Sequence, residues 1–370
     1  MKKLLFVTNQ FRTGGVESVF YQLASCTQRE TWLLPVHESY DDYLVRRLPD
    51  NVTVIASGIN PERTLSGLFT TLRRAWELKK AYGGQDYTAV NFSDTLSSLL
   101  TAFILSGRRT VSWVHTSPKY LMKKKRIPTW PLYFFLLKHC REVVFLCEDQ
   151  RKLFLSLKET GDTSRMKTRI CTDFASVEEI RQKAAEPLSP SLRDPYILMV
   201  SRIDETQKDF RTLLRAYSHL PVSIRSRYRL VLAGDGPDRE RMMQYAERLG
   251  IGSRVTFPGN LENPYPWMKH CSLYIHSSKV EGFSMVLVEA LACGCRIVAS
   301  DCETGPSEVL GRGKYGDLFT PGNARELRDC MVRALKESGE ISRKSIGRAE
   351  ELARTGKAQI KEFLNEYMGE

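Results

Sequence analysis

The chain has 370 residues, 42% of them hydrophobic and 26% charged, with a formal net charge of +12; this length exceeds one ordinary core and this composition excludes wholesale disorder. Residues 1–190 hold 28 Lys and Arg against 19 Asp and Glu, whereas residues 191–370 hold 27 against 24. The N-terminal half is therefore expected to face an anionic partner, and nucleic acid, anionic lipid or a phosphorylated substrate would each meet that requirement.

The opening "MKKLLFVTNQ" turns polar after five apolar residues, too soon for the core of a secretory leader. The apolar runs at 96–105 and 130–137 fall short of the ~20 residues a bilayer span needs, so a cytoplasmic protein is expected. Nine cysteines without CxxC or Cys/His ligand spacing read as small core residues in a reducing compartment, and Cys293 and Cys295 are too close for an ordinary bridge.

"LLFVT" (4–8) predicts a strand, followed by a glycine-containing loop and then by helical spacing in "VESVFYQLAS" (16–25). The alternation continues through "VTVIAS", "TAVNFS", "TVSWVH" and "EVVFLC", with helical stretches between, which predicts a parallel sheet wound by helices. It breaks at the Pro- and Ser-bearing stretch 184–195, which reads as a linker. A second series follows: "YILMVS", "YRLVLAG", "RVTFPG", "LYIHSS", "RIVAS" and "GDLFT". The expected organisation is an α/β protein of two Rossmann-like doubly wound domains, 1–190 and 191–345, with a C-terminal helix over 346–370 that can return to the first domain. In such sheets ligands sit beyond the carboxyl ends of the strands, so the chemistry should lie in the loops that follow them.

Four such loops stand out. "TNQFRTGGVES" offers Gly14 and Gly15 where backbone amides can approach an anion at a helix start, although Gly-Gly also serves in a simple turn. Neither GxGxxG nor GxxxxGK[ST] is present. "VSRIDETQKDF" places Arg202 and Lys208 in one loop after a strand, where they can serve a diphosphate or remain solvated surface charges. "TVSWVHTSP" ends a strand at His115, a candidate substrate contact or a structural histidine. In "KVEGFSMVLVEALACG" (279–294), eight residues at ~100° each would separate Glu281 and Glu289 by ~80° on one helix. A helix capped by Ser284 and ended by Gly294 removes the difficulty, with Glu281 in the preceding loop and Glu289 within the helix. Both acids could then meet one hydroxyl-rich ligand, since ionised oxygens accept several hydrogen bonds.

Together these residues resemble the retaining glycosyltransferases of family 4. "EGFSMVLVE" fits that family's E-x7-E element, "SRIDETQK" its Arg/Lys diphosphate loop and "SDCETGPSEVL" (300–310) the segment that follows, while "GGVE" and "WVH" fit more loosely. Arg296 departs from the pattern, standing after Cys295 where proline is frequent. The resemblance implies the GT-B architecture, two Rossmann-like domains facing across a cleft. It implies that Glu281 meets the donor sugar, Glu289 the ribose, and Arg202 and Lys208 the diphosphate. Phe283, Ser284 and Met285 would supply a helix N-terminus beneath the donor, Gly15 would bring amides toward the phosphates, and His115 would lie near the transferred sugar. A nucleotide-diphosphate sugar is then the co-substrate, with no cofactor and no essential metal.

The acceptor expected is a lipid-linked saccharide or oligosaccharide in bacterial surface-polysaccharide assembly, met at the anionic cytoplasmic face of the inner membrane. "YLMKKKRIPTWPLYFFLLKH" (120–139) couples Lys123, Lys124, Lys125 and Arg126 to an apolar, aromatic run and is the candidate membrane and acceptor segment, or a buried helix behind a solvated basic loop. A glycoside hydrolase would place its two acids across a scissile bond and needs no diphosphate loop. A nucleic-acid-binding protein would explain the charge but not the grouping of cations and acids after strands. No nucleic acid is expected as partner, and a nicotinamide-dependent oxidoreductase lacks its fingerprint.

Overall fold

The computed structural model describes residues 2–11, 15–37, 41–58, 65–120, 130–157, 160–188, 194–336 and 341–369. The chain divides into two compact units, one of Met1–Asp173 with Thr355–Glu370 and one of Phe174–Arg354.

The first unit runs β1 (Lys3–Thr8), α1 (Gly15–Ser25), β2 (Thr31–Pro35), α2 (Asp42–Val45), β3 (Val52–Val54), α3 (Leu65–Tyr82) and β4 (Tyr87–Asn91). It continues with α4 (Leu96–Ser106), β5 (Val111–Val114), α5 (Trp130–His139), β6 (Glu142–Phe145), α6 (Glu148–Ser156) and β7 (Thr168–Ile170). All pairings are parallel, in the order β3-β2-β1-β4-β5-β6-β7. The near-continuous apolar runs of β1 and β2 follow from burial on both faces of a helix-covered sheet, and β4 is buried along its length as well.

The second unit runs α7 (Val177–Lys183), β8 (Tyr196–Val200), α8 (Phe210–Ser218), α9 (Val222–Arg227), β9 (Arg229–Ala233), α10 (Arg239–Arg248) and β10 (Val255–Gly259). Then come α11 (Tyr265–His270), β11 (Leu273–His276), α12 (Met285–Ala292), β12 (Ile297–Ser300), α13 (Pro306–Val309), β13 (Asp317–Phe319), α14 (Ala324–Lys336) and α15 (Ile341–Met368). Its sheet is also all parallel, ordered β10-β9-β8-β11-β12-β13. The core is built on β8, β9 and β11 with Phe210, Leu213, Leu214 and Tyr217 of α8.

The expected α/β architecture of two Rossmann-like parallel-sheet domains is what the molecule has. Three details differ from the sequence reading. The division falls after Asp173 rather than at 190, because α7 packs on α11 and α12 of the second unit. The helix expected at 346–370 starts at Ile341, and from Thr355 its turns belong to the first unit. There Tyr367 donates to the buried carboxylate of Glu142 at 2.9 Å and Phe363 packs edge-on to Trp113, while Arg169 bridges Glu142 and Glu362. Strands β2 and β7 were not foreseen: "TWLLP" ends in proline and "TRI" shows no apolar run.

In each sheet the strand order reverses once, between β1 and β4 and between β8 and β11. Those are the places where an open α/β sheet leaves room for a ligand.

Candidate functional site

The loops after β8 and β11 flank the switch point of the second unit and are zipped together. The amide of Asp209 donates to Ser277 O at 2.9 Å, that of Lys279 to Gln207 O at 2.8 Å, and Lys208 and Ser278 form an antiparallel bridge. Asp209 is also the N-cap of α8, its Oδ1 accepting from Thr212 N at 3.2 Å. A residue next to a helix cap whose backbone is tied by a bridge has little freedom to wander, so the main chain of Lys208 is held at the switch point.

On the other flank the β8 loop lies against the loop after β9. Ile203 N donates to Asp235 O at 2.9 Å and Glu205 N to Asp238 Oδ2 at 2.7 Å. A Cβ on Gly236 would stand 2.4 Å from Ile203 O, so glycine is required for the approach. The "AGDGP" run after β9 was the sequence signal for this support, and sequence reasoning passed it over.

Lys208 Nζ donates to Glu281 Oε1 at 2.5 Å. The same oxygen receives Ser278 Oγ at 2.6 Å and lies 3.0 Å from His276 Nε2. Oε2 makes no hydrogen bond among the described residues, so one carboxylate oxygen is pinned and the other is open to a ligand. Burial would raise the Glu281 pKa, but the Lys208 charge and the His276 hydrogen bond outweigh it and hold the carboxyl well below its usual range. Burial pushes the His276 pKa down against the pull of Glu281, leaving a neutral imidazole. A proton on Nε2 satisfies Glu281, and Nδ1 then stays bare, consistent with its having no partner among the described residues. His276 and Ser278 were missed in the sequence; the clue was a polar tail, "HSS", on the buried strand "LYI".

Ser284 occupies the N-cap position of α12, but the expected cap hydrogen bond is not made. Its backbone is left-handed, φ 81°, and its Oγ lies 2.9 Å from His276 Nε2 instead. The hydroxyl braces the Glu281 network rather than consuming a helix amide. Gly294 stands just past the helix end, at φ 75°, with Cys295 N donating to Ala290 O at 3.0 Å. The segment at 300–310 buttresses the loop from behind: Thr304 Oγ1 donates to Glu281 O, and a Cβ on Gly305 would lie 2.6 Å from Phe283 O.

Lys208, Glu281 and Ser284 are thus joined in one network through His276 and Ser278. Arg202 is exposed in the β8 loop; its carbonyl accepts from Asp204 N at 3.0 Å, and its side chain makes no hydrogen bond or ion pair among the described residues. Phe283 is buried, and Met285 is the partly buried first residue of α12. Glu289, also on α12, does not join the network. Burial raises its pKa to about 7, against the lowering effect of a hydrogen bond from the Tyr265 side chain.

In the first unit Gly15 opens α1, and Gly14 lies outside the described residues. His115 follows β5, with its amide donating to Asp94 Oδ2 at 3.0 Å. Its ring meets Phe92 edge-on at 4.6 Å and stacks parallel to Trp113 at 6.3 Å. Burial pushes its pKa down to about 3, and neither ring nitrogen has a partner among the described residues. It is a neutral imidazole with hydrogen-bonding capacity to spare. Lys123, Lys124, Lys125 and Arg126 lie outside the described residues.

Among the described residues no group of three or more His, Cys, Asp or Glu is placed to hold a metal ion. No described helix is long and apolar enough to cross a membrane.

The family model of glycosyl transferases group 1 matches residues 179–352. That match lies within the second unit of the chain and takes in the Arg202 loop, the Glu281 network and α12 together. Over 181 residues, 49% of the chain, it is 33% identical to a Campylobacter jejuni N-acetylgalactosamine-N,N'-diacetylbacillosaminyl-diphospho-undecaprenol 4-alpha-N-acetylgalactosaminyltransferase, covering 48% of that protein. Over 118 residues, 31% of the chain, it is 33% identical to the lipopolysaccharide 1,6-galactosyltransferase of Salmonella typhimurium, covering 32% of it. The alignments thus span about half and about a third of these curated relatives. Anabaena HepE, solved in complex with UDP, superposes with a TM-score of 0.78 at 18% identity over 100% of both chains, a likeness of fold across both units. The architecture is GT-B.

Proposed function

We propose that the chain is a retaining glycosyltransferase that moves a sugar from a nucleoside diphosphate sugar, a UDP-sugar ahead of a GDP-sugar, to a lipid-linked saccharide or oligosaccharide. The setting is bacterial surface-polysaccharide assembly at the cytoplasmic face of the inner membrane. The observation that carries this reading is Glu281, ionised, with Oε1 held by Lys208, Ser278 and His276 and Oε2 open. A fixed carboxylate oxygen beside a cation suits a sugar hydroxyl next to a phosphate.

Breaking the bond between sugar and phosphate leaves negative charge on the diphosphate. Arg202, Lys208 and the N-terminus of α12 stabilise that charge as it develops, without a metal. The departing phosphate takes the acceptor's proton, so no residue need act as a strong base. Glu281 orients the sugar, Glu289 receives the ribose hydroxyls, and neutral His115 is the first unit's contact to the substrate. UDP is favoured because HepE was solved with it, and a lipid-linked acceptor because the Campylobacter relative's name specifies one.

The test is thermal shift with UDP- and GDP-sugars, with DNA and RNA as controls, followed by proton NMR of the anomeric product. Stabilisation by one nucleotide sugar and a product of retained configuration are expected. Stabilisation by nucleic acid with no response to any nucleotide sugar would favour a basic anion-binding protein without transferase activity.

A further inference from the structure

Helix α3 of the first unit buries Thr71, Ala75 and Leu78 against the domain. On the opposite side, at steps of four, three and four residues, stand Phe69, Arg73, Trp76 and Lys80. At ~100° per residue the four fall within ~60° of one another, directly away from the core. Phe69 is 81% exposed and Trp76 55% exposed, and the Arg73 side chain is 81% exposed. Lys79 places its ammonium 5.2 Å from the centre of the Trp76 ring. Arg73, Arg74, Lys79 and Lys80 face one acid on this helix, Glu77, which is paired to Arg73 and Arg74.

Among the described residues of the first unit, nothing packs over Phe69 and Trp76 closely enough to bury them. Large rings alternating with long cations are what a lipid interface selects, since the rings enter the acyl boundary while the cations reach the headgroups. We propose that the Phe69–Arg73–Trp76–Lys80 stripe of α3 docks the protein on an anionic lipid surface. A second copy fits poorly, because two such stripes face to face would oppose like charges. Helix α5, packed like α3 on α4, exposes Leu132 and Phe135 as well. The sequence offers Lys123, Lys124, Lys125 and Arg126 as a candidate membrane segment, or as a solvated basic loop before a buried helix; α3 is a described element with rings and charges on one line.

This inference rests on the proposed transferase reading only in that a membrane-borne acceptor gives docking a purpose. The assay contains no nucleotide sugar, so either can fail without the other. The full chain is sedimented with vesicles of phosphatidylcholine containing phosphatidylglycerol, and with phosphatidylcholine alone. Binding to the anionic vesicles only, weakened by salt, is expected. Phe69→Ser with Trp76→Ser should lower the affinity about tenfold or more while the thermal midpoint stays, both rings being exposed. Tryptophan emission should shift to the blue on binding, and Trp76→Phe should remove that shift while binding persists. The proposal is overturned if the double variant binds like the parent, if the parent ignores anionic vesicles, or if Trp76 emission does not change. Loss of a dimer or of RNA binding in the double variant, with vesicle binding intact, would overturn it too.

Discussion

Replacing Glu289 by Gln should stabilise the protein at high pH and leave it nearly unchanged at low pH. The carboxyl has a pKa of about 7 in the fold against 4.5 outside it, with burial as the main cause. The protonated form is therefore favoured by folding. Its contribution is fully present below pH ~4.5 and is lost as pH rises through ~7. At 1.36 kcal/mol per unit, the cost of holding the ionised form above that range is about 3 kcal/mol. Glutamine keeps the shape without the charge, so the variant should be about 3 kcal/mol more stable at pH 8.5 and equal to the parent at pH 4.5. For a domain of this size that corresponds to roughly 6 to 12 °C in melting temperature. Denaturant titration at the two pH values is the measurement. An equal difference at both, or none at pH 8.5, would refute the reasoning.

The same residue reports on the ribose. Ribose hydroxyls donating to Glu289 would favour its ionised form, so binding of UDP-glucose near pH 6.5 should release a proton from the parent and none from Glu289→Gln. Calorimetry in two buffers of different ionisation enthalpy counts it, and equal proton release by the two proteins would remove Glu289 from the donor site.

Arg202→Ala and Lys208→Ala should each lower kcat by about 10²- to 10³-fold, by analogy with loss of a preorganised donor. They should part company in stability. Exposed Arg202 should be neutral within ~0.5 kcal/mol, whereas removing Lys208 strips a charge-assisted bond from Glu281 and should cost about 1.5 to 3 kcal/mol. Near-parental turnover in both variants would dismiss the diphosphate assignment. Gly305→Ala combines φ +94° with a Cβ 2.6 Å from Phe283 O; it should destabilise by about 1 to 3 kcal/mol and raise KM for the donor as the loop holding Glu281 shifts. A parental melting temperature and KM would show that Thr304 and Gly305 do not set that loop.

The sequence by itself determined the class of fold and the loops that matter. A strand buried on both faces of a helix-covered sheet must be apolar along its length, so "LLFVT", "YILMV" and "LYIH" declare themselves. The polar segments that follow such strands are where a parallel sheet presents ligands. It also singled out Lys208 and Glu281, because a cation and an acid in successive loops are visible as residue types. What sequence could not show was their contact. Lys208 and Glu281 are 73 positions apart, and only the pairing of β8 beside β11, with the Lys208–Ser278 bridge, brings them to 2.5 Å. Ser284 makes the same point, since a serine before an apolar helix predicts a cap. Tertiary structure turned its hydroxyl to His276, because a polar partner at a strand's end competes with the helix amides. The α3 stripe went unread in the sequence, where a face that packs and a face that stays exposed look alike. Whether a face packs or stays exposed is decided by what the rest of the chain lays over it, and on α3 the described residues leave Phe69 and Trp76 in solvent.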